Sequence, residues 1–226
     1  GEEEFQWPTP KFTEDSSNWV TVADAIGDLP VIKSGEGTED LVRYPVGSSN
    51  SYQRRMRQGA RGVFNHVAMI HTKRILDRFH HIPIGGSIVD APAAYGQRLR
   101  NGSRLDVRRR FKMNNQRLDP NRVSLAITAS FQSNFVHPLY DRNLTAREGA
   151  RLQSFPDHFR FSGPRTLMSK DLLLREGRDD EIGLSQYNQI GNAIPPFLSR
   201  AIGLAVVRTL QRHNADSKIP SANVAS

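Results

Sequence analysis

The sequence predicts an α/β fold, and three stretches carry that expectation. Thr145 and Glu148 stand three apart ahead of an amphipathic run, the spacing of a capping box at a helix start. Val123-Ser124-Leu125-Ala126-Ile127-Thr128-Ala129 has the β-branched content of a strand. Pro195 and Pro196 then open a run in which Phe197, Leu198, Ala201, Ile202, Ala205 and Val206 form a wide apolar stripe, predicting a helix to Gln211 or thereabouts.

Bulk properties narrow the possibilities. The 226 residues suffice for one large or two small domains. An apolar fraction of 37% and a mean hydropathy of -0.54 fit a soluble protein with a modest core. The net charge of +8 favours an anionic partner, of which nucleic acid is the commonest. With no cysteine, these residues hold no disulfide, no thiolate metal site and no thiol nucleophile, which suits a reducing cytosol. No apolar segment follows a basic start and no run reaches membrane-spanning length. The expectation is a soluble, unsecreted, cytoplasmic protein with no membrane partner.

In chain order, Pro8 and Pro10 favour an extended opening. Thr21 caps a short helix through Ala25 and Ile26, stopped by Gly27 and Pro30. Residues 35–50 read as a loop, and Gly35-Glu36-Gly37 lacks the third glycine of a phosphate cradle. Residues 65–79 read as helical, ending at Ile82-Pro83-Ile84-Gly85-Gly86, whose glycine pair permits positive φ or close backbone approach. His66, His71, His80 and His81 match no metal-ligand spacing, so no metal site is expected. The most basic stretch follows: Arg98, Arg100, Arg104, Arg108, Arg109, Arg110, Lys112 and Arg117, with Tyr95 and Phe111 nearby. On its residues alone it is either a solvated loop or a DNA-facing surface, where the arginine fork suits bidentate contacts.

In the helix opened by Thr145, Ala146, Ala150, Leu152 and Phe155 supply an apolar packing surface. Pro156 is expected to stop it at Phe155. The hydrophobic staple is missing, because the fourth helical position is Gly149. Residues 162–183 are charged and irregular, a surface insertion. Ser185 starts a segment leading to a turn at Gly191 and Asn192, and the tail from His213 is expected to fray.

Two stretches point further. Arg142-Asn-Leu-Thr-Ala-Arg-Glu-Gly-Ala-Arg-Leu-Gln-Ser-Phe-Pro-Asp157 resembles the ninth motif of DNA cytosine-5 methyltransferases, and Gln189-Ile-Gly-Asn-Ala-Ile-Pro-Pro196 resembles their tenth. Pro8-Thr-Pro10, followed by Val22-Ala-Asp-Ala-Ile-Gly-Asp-Leu-Pro30, is similar to what family members carry just after their eighth motif. Pro83-Ile-Gly-Gly86 resembles part of their target-recognition region, and Ala126-Ile-Thr128 its small threonine signature.

The resemblance implies an architecture and a set of roles. The fold would be the C-terminal part of a Rossmann-like methyltransferase with a mixed α+β target-recognition domain. Residues 1–60 would connect to a catalytic half not in this sequence, 61–136 would form the recognition domain, and 137–226 the helices that complete the catalytic domain. The partner would be double-stranded DNA, met by the arginines and Lys112 above, by Gly85 and Gly86, and by Thr128 beside the displaced base. Ser130, Ser133 and Asn134 lie close enough to share that contact. Asn192 and Ala193 would lie near the methionyl end of S-adenosylmethionine. Thr145, Arg147, Glu148, Arg151, Gln189 and Gly191 would be structural, with Glu148 a cap rather than a catalytic acid.

The family adds a cysteine thiolate to carbon 6 of a flipped cytosine, while a glutamate holds the ring nitrogen. By resemblance these residues sit in Pro-Cys and Glu-Asn-Val, and neither occurs in this sequence. No residue here is therefore assigned as catalytic. The expected function is target recognition, with methyl transfer requiring a companion polypeptide or N-terminal domain that bears the cysteine. Two rivals remain at this point: a DNA-binding protein that has abandoned catalysis, and an assembly subunit of a defence complex.

Overall fold

The computed structural model describes residues 5–11, 18–96, 114–166, 170–182 and 185–216. The chain divides into two compact units, Trp19–Ala193 and Gly1–Asn18 together with Ile194–Ser226.

The larger unit is built around helix α5, Ala146–Leu152, where every residue from 142 to 151 is buried. Its capping box is complete: the Glu148 amide donates to the Thr145 hydroxyl at 3.1 Å, and the Thr145 amide donates to Glu148 Oε2 at 2.7 Å. The helix ends earlier than Pro156 would require. Ser154 takes φ 64°, its amide donates to the Arg151 carbonyl at 3.0 Å, and the Phe155 amide donates to the Ala150 carbonyl at 2.9 Å. These are the paired bonds of a Schellman ending, with serine in the left-handed position that glycine usually fills. Pro156 follows this stop and does not cause it.

Six other α-helices among the described residues of this unit precede or follow α5. Helix α1, Val22–Ile26, starts at a second capping box between Thr21 and Asp24 and closes at Gly27. Helix α2, Ser51–Met56, is capped by Asn50, whose Oδ1 accepts from the Gln53 amide at 2.9 Å. Helix α3 covers Lys73–His80, and α4 is a single turn, Phe131–Asn134. After α5 come α6, Lys170–Arg175, and α7, Gln186–Asn192, which is capped by Ser185. Val22, Ile26, Phe131, Phe135, Leu144, Ala150, Tyr187 and Ile190 belong to one core cluster, drawn from α1, α4, α5 and α7 and the chain between them.

Strands among the described residues are short. Strand β1, Gly37–Thr38, pairs antiparallel with β2, His66–Val67; β3, Gln116–Arg117, pairs parallel with β4, Phe135–Val136. Three sequence expectations change here. The helix over 65–79 is only α3, because Asn65 adopts φ 58° and leads into β2. Asn65 is held there by Phe161, whose amide donates to Oδ1 and whose carbonyl accepts from Nδ2, both at 2.9 Å. Residues 35–50, expected as loop, contain β1, where Gly37 at φ 99° passes so close that a Cβ would lie 2.2 Å from the His66 carbonyl oxygen. Residues 123–129 form no ladder: Val123 and Leu125 are exposed and only Ile127 among the large apolar side chains is buried, so β-propensity finds no surface to pair with.

Gly191 and Asn192, expected at a turn, lie with Gln189 within α7, and the break falls at residues 193–195. In the smaller unit, helix α8 runs Pro196–Asp216, past the expected end at Gln211, and exposes Leu198, Leu204, Val206, Val207 and Leu210. The final residues, 217–226, lie outside those described.

Gly149 explains the missing staple. A Cβ there would sit 2.2 Å from Phe131 Cζ, so the position that would hold the staple side chain receives the Phe131 ring instead. In an open helix Gly→Ala gains about 1 kcal/mol. Gly149→Ala should instead destabilise by roughly 1–3 kcal/mol through overpacking, read as a lower urea midpoint with an unchanged slope.

Candidate nucleic-acid interface and its buried support

Three arginines lie at or below 1% exposure around α5. Arg142 meets Glu148 with both terminal nitrogens, at 2.8 and 2.7 Å, and its Nε donates to the Ile32 carbonyl at 2.9 Å. Arg151 meets Asp157 with Nε and Nη2, at 2.5 and 2.6 Å, and its Nη1 reaches Asp28 at 3.0 Å and the Ala25 carbonyl at 2.9 Å. Arg147 instead donates to the carbonyls of Phe64, Pro156 and Phe159. Its nearest carboxylate, Asp157, is 4.0 Å away, and burial pushes its pKa down to about 10. These guanidiniums are committed inside the fold and face no ligand.

Glu148 is ionised. Burial would raise its carboxyl, but the Arg142 charge and hydrogen bonds outweigh that and hold it far below the usual carboxylate range. Two buried histidines stand beside it, both held neutral. His66 Nε2 donates to the Pro30 carbonyl at 2.8 Å, which leaves Nδ1 to accept from the Thr145 hydroxyl at 3.0 Å. His137 Nδ1 accepts from the Leu139 and Tyr140 amides at 3.1 and 3.2 Å, and its Nε2 lies 3.6 Å from Glu148 Oε1. Burial lowers both, His137 to about 4. His71 packs edge-on against Phe79, His80 pairs with Asp141 and His81 stacks on Tyr95. Among the described residues no group of three or more His, Cys, Asp or Glu side chains could hold a metal ion.

Of the residues expected to meet DNA, Arg98, Arg100, Arg104, Arg108, Arg109, Arg110 and Lys112 lie outside the described residues. Arg117, grouped with them by charge, does not face outward. It is buried, with Nε donating to the Ile82 carbonyl at 2.8 Å, Nη1 to the His137 carbonyl at 2.9 Å, and Nη2 to Asp141 at 2.6 Å. It ties α3 and its C-terminal loop to residues 137–141. Gly85 is exposed at φ 75°, and Gly86 has Pro83 where a Cβ would go, 2.7 Å away. Arg117 secures both through its backbone: its carbonyl accepts from the Gly85 amide and its amide donates to the Gly86 carbonyl.

Thr128 and Ser130 are exposed, and Asn134 Nδ2 reaches their hydroxyls at 3.3 and 3.2 Å; Ser133 is exposed beside them. Gly191 lies against the Thr128 backbone, and the next residue, Asn192, is exposed with Ala193 half-buried. Gln189 Nε2 donates to the Ser162 carbonyl at 2.8 Å. The structure therefore brings Thr128 and the Gly191–Asn192 pair together from stretches 63 residues apart in sequence. Sequence reasoning gave no role to Gln153, which is buried and bonded to the segment before Thr128, or to the buried Asp28 and Asp157, which both accept from Arg151. Asp157 closes the ninth-motif stretch, and that position was its only signal.

Residues 51–208 match the family of C-5 cytosine-specific DNA methylases. The chain belongs to this family. It is 46% identical over 194 residues to the type II methyltransferase M.DdeI of Desulfomicrobium norvegicum, a match covering 86% of this chain and 44% of that one. It is 32% identical over 148 residues to the type II methyltransferase M.AquIB of Picosynechococcus sp., covering 66% of this chain and 90% of the relative. A solved DNA modification methyltransferase encoded within an E. coli prophage shares the fold, with a TM-score of 0.55 at 19% identity, covering 85% of this chain and 47% of that one. This methylase-family chain thus spans about half the length of the first two curated relatives it matches, 44% and 46%. No single helix among its described residues is long and apolar enough to cross a membrane.

The buried histidines and Glu148 set an acid profile for folding. His137 titrates near 4 when folded and near its ordinary 6.5 when unfolded, so the unfolded chain binds more protons between those values. Stability should fall as pH drops from about 6.5 towards 4, by on the order of 3 kcal/mol from His137, and His66 acts in the same direction. Glu148 contributes lower, losing its stabilisation as pH falls below about 4.3. Urea midpoints between pH 4 and 8 should follow this fall, and His137→Asn, which keeps an acceptor near Nδ1, should flatten it. Glu148→Gln should cost about 3–5 kcal/mol at pH 7 by stranding the Arg142 charge.

Proposed function

We propose that this chain is the target-recognition half of a DNA (cytosine-5) methyltransferase. It binds a specific duplex sequence and assists displacement of a cytosine, and a companion polypeptide or N-terminal domain supplies the catalytic cysteine. One observation carries the reading: the family match extends over 51–208, yet the 226 residues contain no cysteine. The matched region of M.AquIB makes up 90% of that relative, so a chain named as a type II methyltransferase is itself this short.

The division of labour follows the sequence boundaries. Residues 1–60 connect to the catalytic half, 61–136 recognise DNA, and 137–226 complete the catalytic domain. The basic residues from Arg98 to Lys112 neutralise phosphates or grip guanine edges. Gly85 and Gly86 allow backbone approach, and the exposed Thr128 cluster offers hydroxyl and amide donors to a backbone phosphate.

S-adenosylmethionine supplies the methyl group. Asn192 presents an exposed carboxamide and Ala193 a small side chain, a pair that fits one edge of a cofactor site and leaves the rest to the companion. The exposed leucines and valines of α8 are an apolar face of the kind that packs on a partner surface. Acting on DNA in a prokaryotic cell, the assembled enzyme works in the cytoplasm.

Transfer of labelled methyl from S-adenosylmethionine to unmethylated duplex DNA tests this reading. The chain alone and a cysteine-bearing catalytic half alone should both be silent, and the mixture should be active. Activity of this chain alone would overturn the division of labour. A silent mixture, with the companion binding cofactor, would leave a DNA-binding protein without catalysis.

A further inference from the structure

Residues 127–131 are pinned from beneath by three separate contacts. Gln153, buried just beyond α5, donates through Nε2 to the Ile127 carbonyl at 3.3 Å and to the Ile190 carbonyl at 3.2 Å. Gly191 receives the next peptide: a Cβ there would lie 2.2 Å from the Thr128 carbonyl carbon and 2.3 Å from the Ala129 nitrogen. Gly149 receives the Phe131 ring, and the Phe131 amide donates to the Thr128 carbonyl at 3.0 Å. Glycine is disfavoured inside a helix relative to alanine, so Gly191 within α7 answers to this close approach. Within the same five residues Thr128 and Ser130 are exposed, and the half-buried Asn134 just beyond them donates to both hydroxyls, forming a hydroxyl and amide cluster.

We infer that Gln153 and Gly191 are positioning residues for DNA binding, holding the Thr128 cluster in fixed register with Asn192 and Ala193. Neither touches DNA. Gln153 joins the two segments at Ile127, one residue before Thr128, and at Ile190, two before Asn192, while the missing Cβ of Gly191 sets their separation. A backbone phosphate at Thr128 and the cofactor edge at Asn192 are thereby spaced by this chain's own backbone. The inference rests on the reading of Thr128 as a phosphate contact given above.

The test uses the complex with its catalytic half, and steady-state methyl transfer to unmethylated duplex carrying the target mapped from its product. Gly191→Ala must push the Thr128 peptide outward, because the obstructing atoms are backbone. Its KM for DNA should rise about tenfold while the KM for S-adenosylmethionine stays within about twofold. Thr128→Ala should raise the DNA KM by about fivefold, and Thr128→Ser, which keeps the hydroxyl, should hold it within about twofold. Because both changes act on one contact, the Gly191→Ala/Thr128→Ala pair should be no worse than Gly191→Ala alone, within about twofold.

Gln153→Met keeps the volume and loses both donors. It serves as the second variant if Gly191→Ala fails to fold, with a DNA KM about threefold higher and the same non-additivity. An active wild-type complex with an unchanged DNA KM in these variants, or with effects that multiply with Thr128→Ala, would overturn the inference alone. A wild-type complex that transfers no methyl would remove the proposed function and this inference with it.

Discussion

The Glu148 carboxylate is the constraint on which the larger unit depends. Its Oε2 accepts from the Thr145 amide that opens α5 and from Arg142, while Oε1 accepts from the other prong of Arg142. One buried anion thus starts the helix and neutralises a cation that is almost wholly enclosed. Buried ion pairs add little net stability against a well-packed apolar alternative, but removing either member is costly. Here the pair fixes geometry: Arg142 can reach Glu148 only if the residues before α5 lie across its first turn. His66 and Thr145 extend that register to β2 and to Pro30.

The same logic explains how a unit with two-residue ladders holds its shape. Backbone groups that a large sheet would pair must find partners elsewhere. Arg147 satisfies carbonyls at Phe64, Pro156 and Phe159, Arg142 one at Ile32, and Arg117 those at Ile82 and His137. Planar guanidinium forks stand in for strand neighbours. Asp28 gathers three helices, accepting from Arg151 of α5 and Arg57 just past α2 while following α1 by two residues. Tyr44 and Tyr52 close the arrangement, donating to Asp157 and to the Arg151 carbonyl.

How far the sequence foretold this depends on the range of the interactions. Both capping boxes are local: Thr145–Glu148 was legible as a spacing of three, and Thr21 as a cap, while its partner Asp24 emerged only in the structure. The Schellman ending was not legible, because Ser154 occupies the left-handed position without being glycine. Nor was β2, since the conformation of Asn65 is fixed by Phe161, 96 residues away. Arg117 looked like its basic neighbours because a run of like residues does not reveal which one meets buried carbonyls. Residues 123–129 had strand-like composition, but composition cannot supply a partner strand. The motif resemblance located α5 and α7 without indicating that Gln189 to Asn192 continue a helix.

This pattern bears on what the fold is for. The ninth-motif helix turns its charges inward, so its arginines cannot read DNA, and the exposed donors sit instead on the irregular segment it supports. Irregular backbone is ordinarily too compliant to hold a contact to within a fraction of an ångström. Residues 127–131 avoid that through two glycine seats, on α5 and α7, and one bridging glutamine just beyond α5. The outward side chains of this segment can then vary without disturbing the anchors beneath. The cost falls on positions 149, 153 and 191, where side-chain size and hydrogen-bonding type are set by packing rather than by any ligand.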